Sequence, residues 1–143
     1  MSGHPLVTTL LGRPGRYAGR GDGTESGPFV GRIVVTALPS GRGVSIDYEA
    51  WSEAELLQHA EHSVLAHGPD GTVTLVVAHS EAPVLSIMVE QEPGWFVAPP
   101  DRAPYGRGIK VEIPERDRLI YSWWWAPPGE PLVERSRADL RRL

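Results

Sequence analysis

The sequence predicts an all-β fold: a closed up-and-down antiparallel β-barrel of about ten strands with a short N-terminal helix. Short runs rich in β-branched and aromatic residues recur along the chain: Phe29 to Leu38, Gly43 to Trp51, Thr72 to His79, Val84 to Val89, Gly94 to Val97, Ile109 to Ile113 and Leu119 to Ala126. Between them the 16 Gly and 14 Pro stand singly instead of collecting in one segment, so they punctuate turns. Pro39-Ser40-Gly41, Pro69-Asp70-Gly71, Pro93-Gly94 and Pro127-Pro128-Gly129 supply the fixed or positive φ that a tight reversal needs. A parallel return would need a crossover of about a dozen residues or more, so neighbouring strands pair antiparallel as a meander. Closing the meander leaves no long edge exposed.

With 143 residues and 41% apolar content, the chain suits one domain, residues 1–14 forming the helix and lead-in and residues 15–143 the barrel. Acidic residues outnumber basic ones by 18 to 14, a formal charge of −4, which argues against nucleic acid as a partner. No cysteine is present, so disulfides, thiolate catalysis and Cys-ligated metals are excluded, and a reducing, cytoplasmic setting is expected. Met1 to Leu11 lacks the pattern of a secretory signal, and no apolar run is long enough for a membrane helix; no membrane partner is expected.

The elements follow in order. Pro5 to Leu11, stopped by Gly12, reads as a short helix. Ser52-Glu53-Ala54-Glu55, then Leu56, Leu57, Ala60, Val64 and Leu65, has the cap and the spacing of an amphipathic helix. The stretch Leu57 to His67 also ends at a Gly68-Pro69-Asp70-Gly71 turn and leads into a strand, so a hairpin arm is equally available. Glu134 to Arg142 is charged enough for a helix and alternating enough for a last strand.

Gly15-Arg16-Tyr17-Ala18-Gly19-Arg20-Gly21 forms a G-x-aromatic-x-G-x-G string, with Tyr17 where Trp is usual. His59-Ala60-Glu61, Val73 to His79, Leu119-Ile120-Tyr121-Ser122, Gly129-Glu130-Pro131-Leu132 and Ala138 to Arg142 follow it. This ordered set resembles the nitrobindin-like, fatty-acid-binding-protein-like branch of the calycin barrels. The resemblance implies a ten-stranded barrel with a central cavity and a capping helix, and it favours a strand over residues 57–67. Nitrobindins hold haem through a His on the final strand. Here no His follows His79, and Arg135 and Arg141 occupy that region. Arginine has no lone pair to give iron, so haem held in the family manner is not expected, and no cofactor is expected in its place.

On a strand, His59 and Glu61 share a face and His62 points the other way. Facing inward, the pair would orient a ligand or move a proton; facing outward, it would be a solvated surface. His59, His62, His67 and His79 are the right ligand type for a metal, but their spacing shows no convergence, so no metal site is expected. In Trp123-Trp124-Trp125, alternation puts Trp123 and Trp125 with Tyr121 on one face, where they would wall a cavity or simply fill it. Trp51, Trp95 and Phe96 could extend that wall. Arg135 and Arg137 are expected on a common face, as a carboxylate clamp inside or a solvated edge outside. Ser80 between His79 and Glu81 reads as a loop, not a triad, and no G-x-S-x-G is present.

The function expected is non-enzymatic binding of a small apolar or aromatic molecule in the barrel, by Tyr121, Trp123, Trp125, His59, Glu61 and Arg135. The alternatives are an enzyme (cyclase, isomerase or dehydratase) using His59 and Glu61, and a haem or nitric-oxide protein with His79 or His59 as axial ligand. The sequence leaves the oligomeric state open, a homodimer included.

Overall fold

The connections, all too short for anything but antiparallel neighbours, lay the chain out as a meander, and pairing of its two ends closes it. The computed structural model describes residues 3–100 and 105–143, so the start of the lead-in, Met1 and Ser2, lies outside the described residues. A seven-residue helix, α1 (Pro5–Leu11), precedes ten strands. They are β1 (Gly15–Gly23), β2 (Gly27–Ala37), β3 (Gly43–Ser52), β4 (Leu57–His67), β5 (Val73–His79), β6 (Ser86–Glu92), β7 (Trp95–Val97), β8 (Gly106–Glu112), β9 (Arg118–Ala126) and β10 (Val133–Arg142). Each pairs antiparallel with the next, and β1 pairs with β10, with Gly19 opposite Leu140, to close the barrel. Among the described residues no helix is long and apolar enough to cross a membrane.

The two ambiguous segments are strands. Ser52 does cap, but it caps a turn: Leu56 N–H donates to Ser52 Oγ (3.1 Å) and Glu55 N–H to Ser52 O (2.9 Å), with Glu55 at φ 61°. Leu57 to His67 then pairs with β3 on one side and β5 on the other, and these two ladders override the local helical pattern. The expected strand from Val84 to Val89 begins later, at Ser86, leaving Val84 and Leu85 exposed in the β5–β6 connection. At Gly94, φ is 78° and an added Cβ would stand 2.3 Å from Val111 O, so only glycine fits the β6–β7 turn.

Alternation along each strand sends one set of side chains inward. Tyr17, Ile33, Val35, Val44, Ile46, Leu65, Leu75, Met88, Phe96, Ile109, Leu119 and Leu140 are buried as one core. One end of this core is covered by α1, which packs on β2 and β3 through Val7 and Leu10. His4 caps that helix, its Nδ1 accepting from Val7 N–H (3.4 Å), while its Nε2 meets Glu90 Oε1 at 2.7 Å. Leu10 is fully buried. Leu10→Ala should therefore cost about 3 kcal/mol of unfolding free energy in a urea titration, the usual range for an emptied leucine site. A loss below about 1 kcal/mol would mean that α1 is not part of the cooperative fold.

The interior stays apolar only over its helix-capped part. Toward the opposite end, the inward positions of β4 and β5 become Ser63, Glu61, His59 and His79.

Candidate functional site

At the end opposite α1 the barrel holds a cavity of about 320 Å³. Its apolar wall is made by Phe29 (β2), Tyr48 and Ala50 (β3), and Trp123 and Trp125 (β9), with Tyr105 at the rim. Its polar groups stand on two sides: His59 (β4), His79 (β5) and Glu81 just beyond β5 on one, and across the barrel Arg135 and Ser136 (β10) with Glu25 and Ser26 of the β1–β2 turn. The period of two explains most of this: Trp123 and Trp125 share the inner face of β9, and Trp124 goes outward.

The polar groups form a chain of contacts. His59 Nδ1 donates to Glu81 Oε2 at 2.6 Å, and His79 Nδ1 lies 3.4 Å from the same oxygen, which also accepts from Ser80 Oγ (3.1 Å). On the other side of the ring, His59 Nε2 is 3.7 Å from Glu61 Oε1. Glu61 is completely enclosed, and Trp123 Nε1–H donates to its Oε1 at 3.1 Å. Both imidazoles pack against Trp123, with centroids 5.9 Å (His59) and 5.2 Å (His79) from its ring, and Tyr48 stands 5.7 Å from His59. Glu61 Oε2 and the Nε2 atoms of His59 and His79 are buried with no hydrogen-bond partner in the protein. A domain core rarely tolerates so many unpaired polar atoms together.

Electrostatics follow the geometry. Burial works against a charged His59, but the charge of Glu61 and the hydrogen bond and charge of Glu81 outweigh it and raise its pKa. Glu81 is pushed up by its own partial burial, yet His59, Ser80 and His79 together bring its pKa below the ordinary value. Burial, reinforced by the Glu61 charge, holds the Tyr48 and Tyr121 phenols protonated well beyond their usual range.

Of the residues expected at the site, His59, Trp123, Trp125 and Arg135 line the cavity. Glu61 lies one layer deeper and reaches it through His59 and Trp123. Tyr121 is also inward but deeper, packed on Tyr48 at 4.8 Å and outside the lining. The common face for Arg135 and Arg137 is corrected: a bulge between Glu134 and Ser136 inserts Arg135 as an extra residue. Arg135 turns to the cavity rim, its Nε donating to Trp125 O (3.0 Å), whereas Arg137 is outside, bonded to Glu134 (3.0 Å). Nor do the other aromatics extend the wall. Phe96 is core, Trp95 stacks edge-on with Trp124 at 5.2 Å, and Trp51 lies under Arg32. His62 faces out and pairs with Asp47.

Glu81 is the residue that sequence reasoning passed over, set aside with Ser80 as part of a loop. His79, named there only as a possible metal or haem ligand, is the last inward position of β5 by the same alternation that places Val73, Leu75 and Val77.

No protein-family model and no curated protein matches this chain. The chain is similar in structure to Rv2717c from M. tuberculosis, known from a crystal structure, with a TM-score of 0.67 at 21% identity over 97% of this chain and 98% of that one. At that identity the likeness shows a shared barrel fold, which fits the calycin-like form.

Proposed function

We propose that this chain binds a small, largely apolar or aromatic molecule in the open end of the barrel, without transforming it. The supporting observation is the 320 Å³ cavity, walled by Phe29, Tyr48, Trp123 and Trp125, with a few polar side chains among these rings. Cavities of a few hundred Å³ with an apolar lining and a few convergent polar groups are the usual form of a small-molecule site. Rigid indole and phenol rings lose little rotamer freedom on contact with a flat ligand. His59 or, across the cavity, Arg135 would fix its polar end.

The experiment is a titration with 1-anilinonaphthalene-8-sulfonate in the presence of chelator, followed by probe and tryptophan fluorescence. One probe per chain is expected. Ala50, opposite His59, has its small side chain on the cavity, so Ala50→Phe should fill the space and weaken binding more than about tenfold. Trp125→Ala should weaken it about tenfold, the loss of one aromatic wall. Wild-type affinity in Ala50→Phe would place the probe on the exterior and end this reading.

A second reading is proton transfer on a bound molecule, favoured by His59 lying between Glu61 and Glu81. Under it Glu61→Gln keeps the ligand and loses turnover. Membership of the nitrobindin-like branch would bring haem, and the residues do not fit that group held from the last strand. There β10 offers Arg135, Ser136, Ala138 and Leu140, and no imidazole.

A further inference from the structure

We propose that His59, His79 and Glu81 form a binding site for one divalent transition-metal ion of the zinc type, with an open coordination position on the cavity. One ring nitrogen of each histidine and one oxygen of Glu81 lie within 4.8 Å of one another. Tetrahedral ligation at bond lengths near 2.0–2.1 Å separates ligand atoms by roughly 3.4 Å. Of the two edges to Glu81 Oε2, that from His79 Nδ1 (3.4 Å) already matches this value and that from His59 Nδ1 (2.6 Å) is shorter, so the carboxylate has to draw back from His59 to admit an ion.

Three further features fit an ion. The site has no thiolate and two imidazoles with one carboxylate, a set suited to borderline dications. All three residues line the cavity, so a fourth position faces space that water or a ligand atom can occupy. Behind the site, Glu61 stands 3.7 Å from His59 Nε2 and has an unpaired buried oxygen. An imidazole bound through Nδ1 must carry its proton on Nε2, and a carboxylate behind it is the usual support for such a ligand. The ion would also neutralise Glu61 and Glu81 together. His79 has a side chain only 5% exposed, so it contributes a well-fixed imidazole at the cavity. The ion displaces the proton that His59 Nδ1 now shares with Glu81, and that proton is released to solvent.

This inference stands without the apolar-ligand reading, since an ion can be held whether or not the aromatic wall is used. The test is a calorimetric titration of the chelator-treated, desalted full chain with Zn²⁺ and no organic probe. Co²⁺ replaces Zn²⁺ in a parallel titration read by its visible d–d bands. One ion per chain with micromolar or tighter affinity is expected, accompanied by proton release. Glu81→Gln and His79→Gln should each weaken binding by more than about 100-fold, and Glu61→Gln by about 10- to 100-fold. His62→Gln, on the outer face, should leave it unchanged. Far-UV circular dichroism of each metal-free variant reports folding. Should His79→Gln fail to fold, the half-exposed Glu81→Gln decides alone. Absence of a saturable one-to-one isotherm in the wild type overturns the proposal, and so does wild-type affinity in Glu81→Gln.

Discussion

Gly19→Ala is expected to open the barrel. Gly19 lies in β1 opposite Leu140 of β10, at the seam where the two ends of the chain meet. A Cβ added there would stand 2.0 Å from Asp139 O, 3.0 Å from Asp139 C and 3.0 Å from Leu140 Cα. All three are backbone atoms, so no side-chain rotation relieves the clash. The nearest contact falls about 1.4 Å short of ordinary van der Waals distance, and a strand separation that makes this up is enough to break the hydrogen bonds on both sides of the site. The other strand pairs are joined by short local connections; only this one depends on contact between distant parts of the chain, and its loss leaves β1 and β10 as long unpaired edges. We expect a loss of about 4 kcal/mol or more, measured by urea unfolding, with association of the variant in size-exclusion chromatography. Gly12→Ala provides the control, because its Cβ would meet only Thr8 O and Thr9 O at 3.6 Å. If Gly19→Ala unfolds within about 1 kcal/mol of the wild type, the close approach of β1 to β10 is wrong.

That seam was implied by the sequence only indirectly, through the economy of closing a meander. The strand runs and their turns were legible because each carries its own local chemistry: β-branched residues between Gly and Pro. The helix-like pattern after Ser52 was misleading for a physical reason. A Ser with an acid three residues on caps a turn as readily as a helix, and which of the two forms is decided by partners elsewhere in the chain, here β3 and β5. Period-two alternation was enough to put His59 with Glu61 and Trp123 with Trp125 on shared faces, but not to say that these faces look inward. It failed at Arg135, because one bulged residue reverses the face of everything beyond it and nothing in Glu134-Arg135-Ser136 announces the bulge. It also failed at Glu81, which lies past the end of β5 and reaches His59 through a turn whose path no local pattern specifies.

Trp123 separates what holds this end of the barrel together from what it is for. The indole is 6% exposed, packs on both site histidines and gives its N–H to the enclosed Glu61. Trp123→Ala should cost about 4 kcal/mol, combining lost burial, an enlarged cavity and an unpaired carboxylate oxygen. Trp123→Phe keeps most of the volume and removes the donor, so about 2 kcal/mol of its cost should come from Glu61 left without that hydrogen bond. The distinguishing measurement is the double variant. Removing both partners of a buried polar pair is cheaper than removing one, so Trp123→Phe with Glu61→Met should be more stable than Trp123→Phe alone. Strict additivity in a double-mutant cycle would show that Glu61 does not depend on the indole N–H. The expected coupling means that an apolar residue at position 61 satisfies the fold at least as well once the donor is gone. Glu61 would then be a group whose use lies at the cavity, beside His59, and not in the stability of the barrel.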